Sequence, residues 1–267
     1  MLLKVYNLEK KYSSNTGKDM QSVVSGLSFS LNEGECIGII GRSGCGKTTL
    51  LKLVSGILSP DSGSIEIINN ESRIVSYPVA FVFQEPYLLP WRTIRENIRL
   101  ACQISYYDGD IKKFIDNLLI KVGLKEAEWK YPHEVSGGMQ SRCALARALA
   151  VRSQFLFMDE PFGSLDPATR YDLQGLVRKV IDEEKRCAIL VTHSIEEAFV
   201  LCNKIFVFRN FCGGIKEKDF LEINNPFSGN FPNPDTIWIE PKFLEVRRNI
   251  LTFLGNLGRL CATDEGG

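Results

Sequence analysis

The stretch that decides the fold of this chain is Gly41-Arg42-Ser43-Gly44-Cys45-Gly46-Lys47-Thr48. It matches the phosphate-loop pattern G-x-x-x-x-G-K-[ST], and it directly follows the apolar run Cys36-Ile37-Gly38-Ile39-Ile40. A buried strand before the loop and a helix starting near Lys47 would bring backbone N–H groups and the positive end of a helix dipole to one anion. The sequence therefore predicts that the chain binds a nucleotide.

The loop also predicts which residues would hold that nucleotide. Lys47 would bring a point charge to the outer phosphates, and Thr48 would offer a hydroxyl ligand to Mg²⁺. A chance glycine-rich turn would account for the glycines but not for the lysine and the two threonines in register. The predicted nucleotide-binding residues of the loop are Gly41, Arg42, Ser43, Gly44, Cys45, Gly46, Lys47, Thr48 and Thr49.

Composition limits the other classes of function. With 267 residues, 44% of them hydrophobic, the chain can bury a substantial core. Lys+Arg and Asp+Glu both number 32, so no net field attracts nucleic acid, and no nucleic-acid partner is expected. No run reaches the roughly 18 apolar residues of a membrane span, and residues 1–5 do not resemble a secretory signal. We therefore expect a cytosolic protein.

The eight cysteines do not form a C-x-x-C pair, and several fall in apolar segments. This usage is typical of reduced thiols that act as small hydrophobic side chains, and it does not favour a metal site.

The spacing of apolar residues predicts the organisation of the chain. Leu27, Phe29 and Leu31 alternate as in a half-buried sheet, so an antiparallel lobe is expected near the N-terminus, after a polar loop at 13–19. Residues 85–150 have helical spacing, and Thr93 and Glu96 have the form of a capping box. Strands then alternate with helices up to about residue 208, which predicts an α/β fold with a mostly parallel sheet. Residues 211–267 are expected to form a C-terminal extension that packs on the core.

Two carboxylates follow a second apolar run, Phe155-Leu156-Phe157-Met158. Asp159 would lie at the carboxyl end of a strand, where it can reach a Mg²⁺ ion, and Glu160 would polarise the attacking water. A positioned base of this kind contributes about 10²–10⁴ in rate. A strand followed by an acidic turn is a common alternative for any single pair of acids, but it is improbable in a chain that also has a phosphate loop.

A second glycine-rich segment, Val135-Ser136-Gly137-Gly138-Met139, precedes a helix predicted over residues 140–150. It offers another helix N-terminus to phosphate, although one nucleotide does not need two such ends. Here the sequence resembles the ATP-binding subunit of ABC transporters, whose signature is L-S-G-G-Q. The resemblance extends over most of residues 1–210. It implies a P-loop NTPase core with an inserted helical subdomain at about 85–150.

The resemblance also implies that two such domains enclose two ATP molecules head to tail. In that arrangement Ser136, Gly137 and Gly138 would contact the γ-phosphate held by the phosphate loop of the partner. Asp166 would bridge to the same loop of the partner and couple the two sites. The chain is therefore expected to bind ATP and Mg²⁺ and to form a dimer, with a homodimer favoured.

Three single residues take roles by the same resemblance. Gln84, after the strand predicted at 79–83, would be a catalytic residue and a Mg²⁺ ligand. His193 would be catalytic by holding the γ-phosphate, and Tyr12 would stack on adenine. In isolation these residues are better explained as a strand-end polar group, a helix-start polar group and a surface aromatic. Their shared order and spacing favour the functional interpretation.

Some positions depart from the signature. Val135 and Met139 replace its leucine and glutamine. Met139, together with the segment Gln84-Glu85-Pro86-Tyr87-Leu88-Leu89-Pro90-Trp91-Arg92, resembles the subfamily that serves importers of nitrate, sulfonate, taurine and thiamine precursors. Gln140-Ser141-Arg142 stands where that subfamily usually has R-Q-R.

The function implied by the resemblance is that of a peripheral ATPase subunit of an importer for a small anionic or nitrogen- or sulfur-containing solute. It would act at the cytoplasmic face of the cell membrane and drive a separate permease. The coupling helix of that permease would dock near residues 84–91, and an external solute-binding protein would be an indirect partner. One alternative is a soluble ABC-type ATPase that regulates or assembles another complex. The other is a kinase that phosphorylates a small molecule, but that function would not explain the segment 136–138.

Cys45 suggests a separate hypothesis. The positive end of the helix dipole favours the thiolate form of a cysteine near a helix N-terminus, as long as no nucleotide occupies the loop. Alkylation of Cys45 would then block nucleotide binding. An arbitrary small residue at this position is an equally good explanation.

Overall fold

The computed structural model describes residues 1–13, 20–69, 78–105, 108–209, 215–216 and 220–255. Most of the predicted polar loop at 13–19, together with Cys212 and Cys261, lies outside these residues. The strands are β1 (Leu2–Ser13), β2 (Met20–Asn32), β3 (Cys36–Gly41), β4 (Ser62–Ile68), β5 (Val79–Val82), β6 (Phe155–Asp159), β7 (Cys187–Thr192), β8 (Lys204–Phe208), β9 (Ile215–Lys216) and β10 (Phe220–Asn224). The helices are α1 (Lys47–Val54), α2 (Ile94–Ile104), α3 (Ile111–Lys121), α4 (Gly137–Ala150), α5 (Pro167–Glu184), α6 (Ile195–Leu201) and α7 (Pro241–Gly255).

The chain divides into two compact units. The first unit is made of Met1–Leu3, Leu31–Glu35 and Ile67–Leu190, and the second is made of Lys4–Ser30, Cys36–Glu66 and Val191–Gly267. The first unit therefore contains β5, β6, most of β7 and the helices α2 to α5. The second contains the phosphate loop, α1 and most of the remaining elements.

In the first unit β6 lies between β5 and β7. It is buried along its whole length, as its apolar sequence requires. β5 pairs with β6 in parallel, with Val79 opposite Phe155 and Val82 opposite Met158. Strands buried on both faces are typical of a parallel sheet covered by helices. The predicted α/β fold is confirmed.

In the first unit, side-chain hydrogen bonds explain where helices α2 and α4 begin. Thr93 and Glu96 form the predicted capping box of α2: Glu96 N donates to Thr93 Oγ1 at 3.2 Å, and Thr93 N donates to the Glu96 carboxylate at 2.8 Å. The predicted start of α4 at residue 140 is wrong by three residues. Ser136 Oγ accepts a hydrogen bond from Met139 N at 3.3 Å, so the helix begins at Gly137 and includes both glycines in its first turn.

An ion-pair network joins α2 and α3 to the 3₁₀ turn Lys125–Ala127 and the residue after it. Arg95 on α2 donates to Asp116 on α3 at 2.8 Å and also to Glu128, and Lys125 donates to Asp116 at 2.7 Å. The hydrogen bond from Arg95 is the main cause that holds the pKa of Asp116 at about 2. Asp116 is therefore ionised at neutral pH, and the network helps to hold the predicted helical insertion together.

In the second unit β8 lies between β3 and β10, parallel to β3 and antiparallel to β10. A separate four-stranded sheet has the order β4-β1-β2-β9. In it β9 pairs in parallel with β2, with Val24 opposite Ile215. The β lobe predicted at the N-terminus is therefore completed by a strand from late in the chain, which spacing within the N-terminal segment could not indicate.

Helix α7 packs within the second unit through aromatic side chains. Phe243 is fully buried, and its ring centroid lies 5.2 Å from that of Phe199 on α6 and 5.9 Å from that of Trp238. Arg209 lies over the ring of Phe253 at 4.0 Å. Helix α7 therefore contacts α6 through Phe243 and Phe199.

No helix in the described part of the chain is long and apolar enough to cross a membrane. Six cysteines are described and all six are buried. Burial raises the pKa of Cys143 and of Cys187 to about 12, so both are neutral thiols at physiological pH.

Candidate functional site

The phosphate loop connects β3 to α1 in the second unit. Gly44 and Gly46 have φ angles of 79° and 107°, in the region that favours glycine. A Cβ atom at Gly46 would also lie 2.8 Å from Val23 Cγ1 and 3.0 Å from Val23 O. Helix α1 begins at the next residue, and Leu50 N donates to Gly46 O at 2.9 Å. The turn that presents the start of α1 therefore requires glycine at position 46.

Lys47 lies in the first turn of α1 and is 7% exposed. Its Nζ donates to Gly41 O and Arg42 O, both at 2.8 Å. These two carbonyl oxygens hold the positive charge against the loop. Arg42, Ser43 and Gly44 are exposed, and Thr48 and Thr49 are half-buried in the first turn of the helix. The arrangement can bind an anion through the helix N-terminus and the ammonium together.

Cys45 does not have the thiolate character suggested by its position. Its side chain is 3% exposed, and burial raises its pKa above the ordinary value, an effect larger than the opposing influence of Lys47. A Cβ atom at Gly41 would lie 3.0 Å from Cys45 Sγ, which shows how closely the thiol packs on the end of β3. The prediction that Cys45 is a thiolate is therefore wrong, because desolvation of the thiolate outweighs the favourable electrostatic field at the helix start.

His193 and Tyr12 lie in the same unit. His193 is exposed in the turn between β7 and α6. Hydrogen bonds fix the residues on either side of it. Ser194 N donates to Thr192 Oγ1 at 3.1 Å, and Ser194 Oγ caps α6 by accepting from Glu197 N at 3.2 Å. Tyr12, near the end of β1, is 43% exposed, and Lys10 Nζ lies 6.0 Å from its ring centroid. Both His193 and Tyr12 are exposed.

The two carboxylates lie at the end of β6 in the first unit. Asp159 is the last residue of the strand and is 3% exposed. Glu160 follows with a φ angle of 48°, which is uncommon for a residue other than glycine. Its carbonyl accepts from Gly163 N at 3.3 Å. Backbone strain of this kind is frequent where a side chain must be aimed at a reacting group.

The second glycine segment and the loop after Glu160 meet in the first unit. Ser136 and Gly137 are exposed at the N-terminus of α4. A Cβ atom at Gly138 would lie 3.3 Å from Ser164 O, and Ser141 Oγ lies 2.7 Å from Ser164 Oγ. These contacts place the start of α4 directly against the loop that follows the carboxylates.

Asp166 ends that loop as the N-cap of α5. Its carboxylate accepts from Thr169 N at 3.0 Å, and this hydrogen bond is the main cause that lowers the pKa of Asp166. The side chain is exposed and ionised at neutral pH, so it can also meet a positively charged or N–H-rich surface.

Gln84 is exposed two residues after the end of β5, which stops at Val82 and not at 83 as predicted. Arg147 on α4 holds the backbone after Gln84, donating to Tyr87 O at 2.8 Å and to Pro86 O at 2.9 Å. Sequence reasoning gave no role to Arg147 or Ser164, and it noted Ser141 only as a departure from the usual R-Q-R segment. An arginine and two serines in polar or helical segments carry no signal of their own, since their partners are distant in the sequence.

Each side chain predicted to hold a metal ion offers an oxygen atom as the ligand: the hydroxyl of Thr48, the amide of Gln84 and the carboxylate of Asp159. Within the described residues, no group of three or more His, Cys, Asp or Glu side chains can hold a metal ion by itself. Mg²⁺ prefers oxygen ligands and is usually bound by one or two side chains together with substrate phosphates. Each of these three oxygen donors is therefore chemically suited to a Mg²⁺ ion that arrives with a nucleotide.

Comparison with known proteins is consistent with this chemistry. A family model described as ABC transporter matches residues 24–163. The chain is 36% identical over 258 residues to the taurine import ATP-binding protein of a Jannaschia species, covering 96% of this chain and 94% of that relative. It is 38% identical over 237 residues to the nitrate import ATP-binding protein of Synechococcus elongatus, covering 85% of this chain but only 34% of the length of that relative.

Among solved structures, the chain is similar to a dimeric ATP-binding cassette in a post-hydrolysis state bound to ADP and Pi. The TM-score is 0.72 at 26% identity, and the match covers 83% of this chain and 98% of the other.

Proposed function

Because the chain belongs to the ABC transporter family, we propose that it is the ATP-hydrolysing subunit of an importer, and that it drives a separate membrane permease. Residues 1–210 would form the ATPase domain, with a helical subdomain at about 85–150, and residues 211–267 would be an extension of it. The subunit would work at the cytoplasmic face of the cell membrane without spanning it.

The observation that carries this proposal is the presence of two helix starts suited to phosphate on one chain. One is α1, with its positive-φ glycines and the ammonium of Lys47. The other is α4, which begins with Ser136 and Gly137, both exposed. A single bound ATP needs only the first, so the second is available to the nucleotide of another copy. The dimeric cassette that the chain resembles supports a pair of this kind.

In the proposed reaction each predicted residue has one task. Lys47 and the loop residues 41–49 would bind the triphosphate, and Tyr12 would stack on the adenine. Glu160 would orient and polarise the attacking water, and His193 would hold the γ-phosphate. Mg²⁺, when bound, would neutralise charge that develops on the phosphate oxygens. Thr48, Gln84 and Asp159 would supply its protein ligands.

Residues from a second copy would complete each site. Ser136, Gly137 and Gly138 would donate to the γ-phosphate across the dimer, and Asp166 would meet the phosphate loop of the partner. A site that needs both copies hydrolyses ATP only when the dimer closes, which couples hydrolysis to a mechanical step.

The permease would dock on the segment that follows Gln84. Tyr87 and Trp91 are 61% and 70% exposed there, although the backbone between them is held by side chains of α2 and α4. Exposed aromatic side chains on a fixed backbone are suited to a protein interface, because little conformational entropy is lost when they bind. The relatives named for nitrate and taurine import support a small anionic or nitrogen- or sulfur-containing solute as the cargo. An external solute-binding protein would deliver it.

Co-purification tests this function. We expect the tagged chain to leave detergent-solubilised membranes with a multi-span protein that stimulates its MgATP hydrolysis. Trp91→Ala should reduce that recovery and leave ATP binding unchanged. Trp129→Ala is the matched control, since Trp129 is 67% exposed in the same unit but lies outside the segment. Equal losses for the two variants would contradict the docking surface. Failure to recover any multi-span protein with a tagged chain that hydrolyses ATP would contradict the transport role.

A further inference from the structure

We propose that Ser141 and Ser164 are positioning residues for ATP hydrolysis, because the hydrogen bond between their hydroxyls fixes the loop that follows Glu160 onto helix α4. The inference rests on the proposed function and adds two residues to its machinery. Neither serine would touch the nucleotide; both would act through the backbone of residues 160–166.

The contact is close and local to the first unit. Ser141 Oγ lies 2.7 Å from Ser164 Oγ, within the range of a good hydroxyl–hydroxyl bond. One turn earlier on α4, a Cβ atom at Gly138 would lie 3.3 Å from Ser164 O and 3.8 Å from Leu165 Cδ2. Gly138 therefore leaves the space for this approach, and the two hydroxyls hold the loop in it.

The loop is short enough to transmit this constraint to Glu160. Gly163 N donates to Glu160 O at 3.3 Å, and Gly163 is the residue next to Ser164. Glu160 itself has a φ angle of 48°, a conformation that persists only when the surroundings determine it. On the other side of Ser164, Arg170 Nη2 donates to Leu165 O at 3.0 Å. The serine pair is thus one of a few contacts that fix the path of the chain after the proposed base.

Accurate placement of that base matters more for rate than for binding. A displacement of about 1 Å in a catalytic group can cost about 100-fold in rate. The hydroxyl pair is half-buried at Ser141 and exposed at Ser164, so water can replace a lost partner. Loss of the bond should therefore leave the fold intact while the position of Glu160 becomes less well defined.

The chemistry of the pair gives a sharp test. Each hydroxyl is either the donor or the acceptor, so removing either one removes the whole bond. We expect Ser141→Ala and Ser164→Ala each to lower the kcat of MgATP hydrolysis by about 5- to 20-fold, within the range that misplacement of a catalytic group allows. The KM for ATP should change less than about twofold, since the phosphate loop is untouched. The double variant should be no slower than the slower single variant.

Threonine variants keep the test independent of folding. Ser141→Thr and Ser164→Thr retain the hydroxyl, and we expect them to retain most of the wild-type kcat. Ser105→Ala is the control for loss of a serine hydrogen bond elsewhere in the unit, because Ser105 Oγ donates to Ala101 O at 2.9 Å at the end of α2. This variant should keep the wild-type kcat.

The outcomes separate the two proposals. A wild-type protein that hydrolyses MgATP, with a Ser141→Ala variant of unchanged kcat, overturns the positioning role alone. The same holds if the two single losses multiply in the double variant, because independent effects do not describe one shared bond. A purified wild-type protein that binds but never hydrolyses MgATP, alone or with its membrane partner, overturns the proposed function and this inference with it.

Discussion

The side-chain amide of Asn97 forms two hydrogen bonds with the backbone of Leu89. Leu89 N donates to Asn97 Oδ1 at 2.9 Å, and Asn97 Nδ2 lies 3.2 Å from Leu89 O. The same nitrogen lies 3.1 Å from Arg92 O, and the Asn97 side chain is completely buried. One residue of α2 thus satisfies three backbone groups of the segment that carries Tyr87 and Trp91.

Replacing Asn97 by alanine should loosen this segment. The change leaves the half-buried N–H group of Leu89 without its partner, whereas Leu89 O keeps its hydrogen bond from Arg92 N, and we expect a loss of about 1–3 kcal/mol in the free energy of unfolding. Urea unfolding measures the loss, and hydrogen exchange of the Leu89 amide measures the local opening. Asn117→Ala, at an exposed position of α3, is the control and should change stability by less than about 0.5 kcal/mol. Slow exchange at Leu89 in the Asn97 variant would contradict the assigned role.

Replacing Lys47 by alanine should weaken ATP binding about 10- to 100-fold. A charge-assisted hydrogen bond to phosphate contributes about 1.5–3 kcal/mol to binding. The alanine variant loses such a bond, because the ammonium group of Lys47 is held against the phosphate loop. Fluorescent-nucleotide titration measures the affinity. Lys52→Ala, in the last turn of the same helix, should bind as the wild type does. Retained affinity in the Lys47 variant would remove the basis of the site assignment.

Replacing Glu160 by glutamine should separate binding from hydrolysis. The amide cannot act as a base, whereas the phosphate loop is unchanged, so we expect turnover to fall about 10²–10⁴-fold with ATP affinity preserved. An ATP-bound dimer should accumulate and be visible by size-exclusion chromatography with light scattering. Normal turnover would move the role of the base to another residue.

Two glycine-to-alanine changes should have opposite effects on stability. Gly46→Ala places a Cβ atom 2.8 Å from Val23 Cγ1 at a φ angle of 107°, which should cost about 2 kcal/mol or more. Gly175→Ala lies on α5 with no atom within 4 Å of the new Cβ, and it should stabilise the protein by about 0.5–1 kcal/mol. Thermal unfolding of the two variants measures both. A Gly46 variant as stable as the wild type would show that the loop adopts another path.

Alkylation of Cys45 should be slow at neutral pH and faster as the pH rises. Burial raises the pKa of this thiol above the ordinary value of 9.0, so the reactive thiolate is scarce at pH 7 and its fraction grows towards and beyond that value. Labelling with N-ethylmaleimide, read by mass spectrometry of the peptide that contains Cys45, measures the rate. Labelling at pH 7 as fast as that of free glutathione would favour a thiolate stabilised by the helix N-terminus.

Much of the fold could be predicted because its signals are local. The phosphate loop, the capping box of α2 and the buried strand β6 each depend on residues within a few positions of one another, and the structure confirms the helix and strands they indicate. The resemblance to import ATP-binding subunits, based on short motifs, is also confirmed by the family match and by the relatives. The roles of the individual site residues stay predictions.

The sequence by itself determined the class of chemistry, because the signals for it are local. Each one depends on residues within a few positions of one another: the spacing of apolar residues, the positions of glycines and the charged side chains of the motifs. Only the tertiary structure decided how the loops are held. Ser141 meets Ser164 across 23 positions and Arg147 meets Tyr87 across 60, while the desolvation of Cys45 depends on how tightly the loop packs against the end of β3. Hydrogen bonds and burial of this kind follow from the packing of whole elements, and no local pattern of residue types encodes them.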